Sequence, residues 1–408
     1  MKILYGFSNC SDRLYRELFR DKSIAVLQPD QKYHGLLIRG LAANGAAVKC
    51  VSGLPVNRAV TKKLFLHEPD ERESGANYHY IKTINLPLFR QAGIYFGSRK
   101  SVTKDCDVVL CDCLNLANAF GMLAGAKRRK KPIILIVTDL PEFQRGGFLR
   151  RLNETMFQKA DGFILLTEQM NEKINPTGKP YLVLEGHSDG ALPELPHAEK
   201  TETKTGKKIV LYSGSLMKLY GIQNLTEGFL SADLPDAELH IYGDGDYREE
   251  LVAVCRGEER IKYFGSRPNG EVVAAQQRAA LLVNPRPTAP EYTKYSFPSK
   301  TMEYLASGTP ALTTRLPGIP HDYDAHLYFI EDESPLGIAE AIRKVLACPQ
   351  AEREERARRA RTFVIEEKSN VVQAKKILDF ARAVMEDKTK NTNKKTDKKR
   401  QKNRQKNR

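Results

Sequence analysis

Short apolar runs alternate with longer amphipathic stretches along most of the chain. That alternation predicts strand–helix–strand units and parallel sheets, an α/β architecture. In the first half it predicts strands over 2–5, 46–51, 107–111, 132–137 and 162–166. Between the first two lies YHGLLIRGLAANG (33–45). Leu36, Leu37, Leu41 and Ala42 there share one helical face, and Gly45 is placed to stop the helix. The rhythm breaks at ALPELPHAEKTETKTGKKI (191–209), which is rich in Pro, Thr, Glu and Lys and has no period. Such a stretch reads as an interdomain linker. Strands restart with KIVLYSGS (208–215) and continue through ELHIYGDGD (238–246), RIKYFGS (260–266), AALLVNPR (279–286) and PALTTR (310–315). A long charged helical stretch closes the folded part.

At 408 residues the chain is too long for one ordinary core. The pattern therefore predicts an N-terminal domain over 1–190, a linker over 191–207, a second domain over 208–349, a closing helical segment over 350–387 and a tail over 388–408. The tail carries eleven Lys or Arg against one Asp, most of the net charge of +15, and no apolar residue. With nothing to bury, it is expected to be disordered. The seven cysteines form no paired CxxC pattern, and Cys111 and Cys113 flank Asp112. Free thiols in a reducing cytosol are expected. MKILYGFSNCSDR turns polar too early for a secretory leader, and no apolar run approaches the roughly 20 residues that span a bilayer. The expected location is cytoplasmic, with the inner face of a membrane open as a working surface.

In parallel sheets, ligands sit beyond the carboxyl ends of the strands. Three such loops in the second domain hold candidate chemistry. YSGSLMKLYG (212–221) offers Gly214 and Ser215, small enough for backbone N–H groups to approach an anion, and Lys218. A tight strand-to-helix turn explains the same residues. YGDGD (242–246) turns sharply at Gly243, either as a pocket wall or as turn chemistry alone. In KYSFPSKTMEYLASGTP (294–310), Pro298 and Gly308 bracket a helix predicted over 298–306. The free N–H groups of Ser299, Lys300 and Thr301 make an anion site. Glu303 lies one turn on, placed to accept hydrogen bonds from ribose hydroxyls. A surface Lys–Glu pair at helical spacing is the equal alternative.

The order of these loops, strand–SGS, then YGDG, then FPSKxxExxASGxP, resembles the donor-binding domain of the GT-B glycosyltransferases, specifically glycosyltransferase family 4. The segment 284–320 is similar to bacterial members that build surface and capsular polysaccharides. The resemblance implies two Rossmann-like domains with parallel sheets facing a central cleft. It also implies a nucleotide-diphosphate sugar as donor, a glycan or lipid-linked acceptor on the N-terminal domain, retention of anomeric configuration, and no metal or other cofactor. Many members carry two glutamates eight apart. The second corresponds to Glu303, and the first falls on Tyr295, so the carboxylate that contacts the donor sugar is absent. Glu291 is the nearby substitute. The family's arginine and lysine in the first loop fall on Ser215 and Tyr220. Lys218, Arg286, Lys294 and Lys300 are left to neutralise the diphosphate, with Lys218 and Lys300 favoured. Phe297 and Pro298 complete the donor site, and Asp189 occupies a familiar interdomain position.

On the acceptor side, QPDQKYHG (28–35) is expected to end a strand and open a helix, presenting Gln31, Lys32, Tyr33 and His34. TDLPEF (138–143) follows a strand, and its Asp139 is placed to orient an acceptor hydroxyl or serve as a base. A helix cap and a proline turn are the plain alternatives. RLYRELFRDK (13–22), RGGFLRRLNETMFQK (145–159) and KRRKK (127–131) are basic, and the first two also carry Leu14, Leu18, Phe19, Phe148, Leu152 and Met156. They suit an anionic membrane surface or, equally, a packed core face with a solvated basic side. Three rivals to a retaining hexosyltransferase stand. The substitution at Tyr295 motivates a non-catalytic sugar-nucleotide-binding scaffold. A GT-B sugar-nucleotide epimerase is the second. The basic tail motivates nucleic-acid binding, for which the folded body carries no recognisable module.

Overall fold

A computed structural model describes all residues except 20–27, 141–147, 192–205 and 407–408; at 28, 148, 149 and 391–406 it describes the backbone only. The chain divides into two units, Met1–His187 with Asn370–Arg408, and Ser188–Ser369.

The first unit is built on β1 (Lys2–Gly6), α1 (Asp12–Leu18), α2 (Gln28–Ala43), β2 (Ala47–Ser52), β3 (Phe65–Leu66), β4 (Glu71–Glu73), β5 (Ala76–Tyr80), β6 (Thr83–Ile84), α3 (Pro87–Ser101), β7 (Val108–Asp112), α4 (Leu116–Arg129), β8 (Ile133–Val137), α5 (Phe148–Lys159), β9 (Gly162–Leu165), α6 (Glu168–Ile174) and β10 (Tyr181–Val183). Its main sheet runs β10-β9-β8-β7-β1-β2-β5-β4, parallel throughout except for the β4–β5 edge. VVLCD and IILIV in β7 and β8 are buried along their whole length, as strands covered by helices on both faces must be. The strands predicted over 2–5, 46–51, 107–111, 132–137 and 162–166 are all present. The short β10 and the polar-looking ANYHY of β5 escape the pattern because their apolar runs are too brief or interrupted.

The second unit holds β11 (Lys208–Ser213), α7 (Ile222–Ser231), β12 (Ala237–Tyr242), α8 (Arg248–Gly257), β13 (Ile261–Gly265), α9 (Asn269–Arg278), β14 (Leu281–Asn284), α10 (Ser299–Ala306), β15 (Ala311–Thr314), β16 (Tyr328–Ile330), α11 (Pro335–Ala347) and α12 (Gln350–Glu366). Its six strands are parallel in the order β13-β12-β11-β14-β15-β16, the doubly wound arrangement. The strand order reverses between β11 and β14 here, and between β1 and β7 in the first unit.

The segment expected as one closing helix is two. The chain breaks after α12, and α13 (Asn370–Lys406) belongs to the first unit. Ala374, Ile377, Leu378, Ala381 and Val384 enter that unit's core at helical spacing. Gly40 of α2 lets the helices approach: a Cβ there would sit 2.1 Å from the Asn370 carbonyl oxygen. Lys388 anchors α13 further along, with Nζ 2.7 Å from Asp161 Oδ2. Beyond it the backbone stays helical to Lys406, where disorder is expected from composition. Once packing has nucleated a helix, each added residue costs little. Most of the expected linker, 191–207, lies outside the described residues.

The two amphipathic stretches read as membrane candidates turn their apolar sides inward. Leu14 and Phe19 are buried in the first unit's core, Leu18 packs against it, and Met156 is fully buried. Leu14, Phe19 and Met156 are therefore core residues, while Leu152 is half-buried and the Phe148 side chain lies outside the described residues. The KRRKK run ends α4, where its charge complements the helix dipole. All seven cysteines are free. Among the described residues, no helix is long and apolar enough to cross a membrane.

Candidate functional site

The second unit's candidate site is assembled at the reversal between β11 and β14. Helix α10 begins at Ser299, with Pro298 one position earlier than expected, as its N-cap (φ −68°, ψ 113°). No side chain caps it; the Thr301 N–H is taken by the Pro298 carbonyl at 2.8 Å, which corrects its place in the expected anion site, and the N–H groups of Ser299 and Lys300 are left at the helix end. One turn on, Glu303 Oε1 accepts from Lys300 Nζ at 2.9 Å and from Gln276 Nε2 at 2.7 Å. Gln276 Nε2 also lies 2.9 Å from Ser213 Oγ, and the Tyr304 hydroxyl accepts from the Ser213 N–H at 3.0 Å. The network ties α10 to α9 and to the end of β11. It fixes the Glu303 carboxylate with only 14% of its side chain exposed. Sequence reasoning placed the Lys300–Glu303 pair but missed Gln276, Ser213 and Tyr304. Their polar groups are brought together by packing between elements far apart in the chain.

Both favoured cations are paired. Lys218 pairs with Glu250 of α8 at 2.5 Å, both side chains about half exposed, as Lys300 pairs with Glu303. Arg286, just past β14, lies over the rings of Tyr220 (4.6 Å) and Tyr292 (5.0 Å). Its Nε is buried without a hydrogen-bond partner among the described residues. The same is true of Asn284 Nδ2, the Tyr292 hydroxyl, Ser296 Oγ, Thr301 Oγ1 and Thr313 Oγ1. All six belong to the carboxyl ends of β14 and β15, the loop after β14, or the first turn of α10. Buried polar groups are normally hydrogen-bonded, so such a cluster is the arrangement a polar ligand or ordered water satisfies.

The other expected donor residues are placed around these loops. Phe297 is buried against Tyr323, with ring centroids 5.5 Å apart, so it packs the core rather than a ligand. Gly243 (φ +134°) lets two loops cross: a Cβ would lie 1.8 Å from the Gly214 carbonyl oxygen. Gly214 donates its N–H to the Tyr242 carbonyl, and Ser215 is exposed in the same loop. Tyr295 is half-buried at the end of the 3₁₀ turn Glu291–Tyr295, Glu291 is exposed there, and Lys294 is exposed beside it. Asp189 accepts from the Ala191 N–H at 3.1 Å.

In the first unit, the reversal between β1 and β7 gathers a buried polar cluster. His34 Nδ1 is 2.7 Å from the Tyr5 hydroxyl, and its Nε2 is 3.2 Å from Asp30 Oδ1, an ion-pair contact outside hydrogen-bond alignment. Asn9 donates to Asp30 Oδ2 at 2.6 Å. Asp112, the last residue of β7, accepts from the Leu114 N–H at 3.1 Å through Oδ1, while Oδ2 is buried and unpartnered among the described residues. Burial alone would lower the His34 imidazolium, but the Asp30 and Asp112 carboxylates outweigh it and raise it above the usual value. Burial opposes ionisation of Asp30 too, yet His34 and Asn9 hold its carboxyl below the usual range. Asp112 is pushed up to about 6 by burial, which His34 partly offsets.

His34 is fully buried, with both ring nitrogens turned to Tyr5 and Asp30. It cannot touch an acceptor as expected; it holds its neighbours. Lys32 is exposed on α2, and Tyr33 is half-buried, its ring 4.5 Å from that of His187. Gln31 is buried and donates to the Cys10 carbonyl. The strand expected before 28 falls outside the described residues. Asp139, half-buried just after β8, accepts from the Leu140 N–H at 2.8 Å; part of its loop also lies outside them. Asp112 was missed as a site residue, although a carboxylate ending an apolar strand between two cysteines was the available signal.

Comparison with known proteins bears on the fold. Residues 196–363 match the family model of the glycosyl transferases group 1. Nearly the whole chain also matches solved structures. Sucrose-phosphate synthase from Thermosynechococcus elongatus aligns at 15% identity and a TM-score of 0.69, over 94% of this chain and 99% of that one. Anabaena HepE, solved in complex with UDP, aligns at 14% and 0.66 over 94% and 100%. The lipopolysaccharide outer core galactosyltransferase WaaB aligns at 16% and 0.59 over 94% and 99%. The chain has the GT-B fold. The comparison with curated proteins gives no match.

Proposed function

We propose that this chain is a retaining glycosyltransferase. It moves a hexose from a nucleotide-diphosphate sugar to a glycan or lipid-linked acceptor in bacterial surface polysaccharide synthesis, working in the cytoplasm. The observation that carries the reading is the cluster of buried, unpartnered polar groups around the amino end of α10, at the strand-order reversal of the unit that matches the group 1 family. HepE, similar in fold, has been solved with UDP and with UDP-glucose, which supports a uridine diphosphate donor.

In this reading the diphosphate lies on the N–H groups of Ser299 and Lys300 at the start of α10, and Arg286 and Lys300 meet its charge. Glu303, fixed by Gln276, accepts from the donor's hydroxyls. The bond from the anomeric carbon to the diphosphate breaks, and a bond to the acceptor oxygen forms on the same face. The acceptor proton passes to the leaving phosphate. The N–H groups and cations stabilise the charge that develops on the diphosphate. No metal is needed, so EDTA leaves the rate unchanged.

Calorimetry with UDP, GDP, ADP and their glucose conjugates tests the donor site. One diphosphate binds, its sugar conjugate binds more tightly, and Glu303→Ala weakens the conjugate far more than the free nucleoside. Equal affinity of wild type and variant for the conjugate would sink the assignment of Glu303. Donor binding without transfer or hydrolysis, across an acceptor screen, would favour the scaffold role that Tyr295 suggests.

A further inference from the structure

Helix α3 is apolar on two sides. Its inner side, with Ile94 and Ser98, is buried, and small residues let it sit close: a Cβ on Gly97 would lie 2.4 Å from Ile81. Its outer side carries Leu88 (84% exposed), Phe89 (62%) and Phe96 (61%). At helical spacing these three fall within about 100° of one another. The β3–β6 pair brings a second apolar edge alongside. Phe65 pairs with Ile84, and the Asn85 N–H donates to the Leu64 carbonyl at 2.7 Å, just before α3 begins. Phe65 is 70% and Leu64 43% exposed, while Leu66, pointing the other way, is buried. Five large apolar side chains thus stand in solvent on one side of one unit. A helix with a second apolar side beyond the one it buries has no partner for it within the unit, and a group of exposed rings of this kind marks an interaction surface.

The charge around the patch selects the partner. Residues 54–67 and 82–104, which build it, contain eight Lys or Arg and no Asp or Glu. Lys62 and Lys63 adjoin Leu64 and are exposed. A second copy of the same patch would oppose like charges, and an acidic groove would leave the phenylalanine rings unburied. We infer that this face docks on an anionic lipid bilayer, with the rings at the headgroup–acyl boundary and the lysines among the headgroups. The inference goes beyond the transfer reading and does not depend on it. Its residues are distinct from the two basic stretches, whose Leu14, Phe19 and Met156 are buried.

The test is vesicle flotation of the full chain with phosphatidylcholine alone and with added phosphatidylglycerol. Wild type partitions onto the phosphatidylglycerol vesicles. A Phe65→Ser, Phe89→Ser, Phe96→Ser variant loses about tenfold or more of that binding, and the loss persists in high salt, where attraction from the basic tail is screened. Lys62→Glu with Lys63→Glu reduces binding at low salt while leaving the rings in place, and it serves if the triple variant melts abnormally by circular dichroism. Failure of wild type to bind the anionic vesicles, or equal binding by both variants, overturns the inference. So does a dimer by light scattering that the triple variant abolishes, which would assign the face to a second copy. Calorimetry of donor binding reports on the other unit, so its failure is read separately.

Discussion

Asp112→Asn is the sharpest test of the buried cluster in the first unit. Asp112 is only 1% exposed, and one of its oxygens has no partner among the described residues. Its carboxyl titrates at about 6 in the fold against 3.8 when exposed. The folded chain therefore holds this proton over a pH range in which the unfolded chain has released it. Stability from this group is full below 3.8 and is lost as pH rises through 6. The gap between the two values is worth about 3 kcal/mol at neutral pH. Between about pH 4.5 and about pH 7.5 the wild type should lose stability that the variant does not, a loss shared between Asp112 and the His34 imidazolium that its carboxylate supports. Asparagine keeps the oxygen that accepts from Leu114, so that contact survives. The assay is hydrogen exchange by mass spectrometry on peptides covering β1 and β7, for wild type and variant at each pH. Comparison at equal pH cancels the intrinsic exchange rates. A variant whose gain over wild type is the same at both ends of the range would refute the account of a buried carboxylate raised by desolvation. The reading adds a functional point: a carboxylate kept at this cost, at the strand-order reversal, is placed where ligands bind in such sheets.

Two further substitutions bear on the second unit. Arg286→Ala should weaken diphosphate binding by about 10- to 100-fold, the worth of a charge-assisted contact of about 1.5–3 kcal/mol. Arg286→Lys should recover little of it, because a lysine lacks the planar group that lies over Tyr220 and Tyr292; calorimetry that finds either variant at wild-type affinity would remove Arg286 from the site. Gly221→Ala should destabilise the second unit by about 1–2 kcal/mol or more, since φ is +77° and the new Cβ would lie 2.1 Å from the Pro285 carbonyl oxygen. A melting temperature unchanged by that substitution would mean the loops separate without cost.

The sequence by itself determined the strand–helix rhythm, the two parallel sheets, the helix that starts beside Pro298 and the Lys300–Glu303 pair. These follow from periodicity and from turn residues, which act over a few positions and are written locally. Tertiary structure decided the rest. It sent α13 back to the first unit, because a 3.6-residue stripe says that a face is buried but not against what. It tied Lys218 to Glu250, buried His34 between Tyr5 and Asp30, and turned Leu14 and Met156 into core. It joined Gln276 to Glu303 across 27 positions of chain. It also left Leu88, Phe89 and Phe96 in solvent, although their spacing alone reads as one more core face. Burial and ion pairing depend on which elements meet, and one sequence read along its length does not carry that.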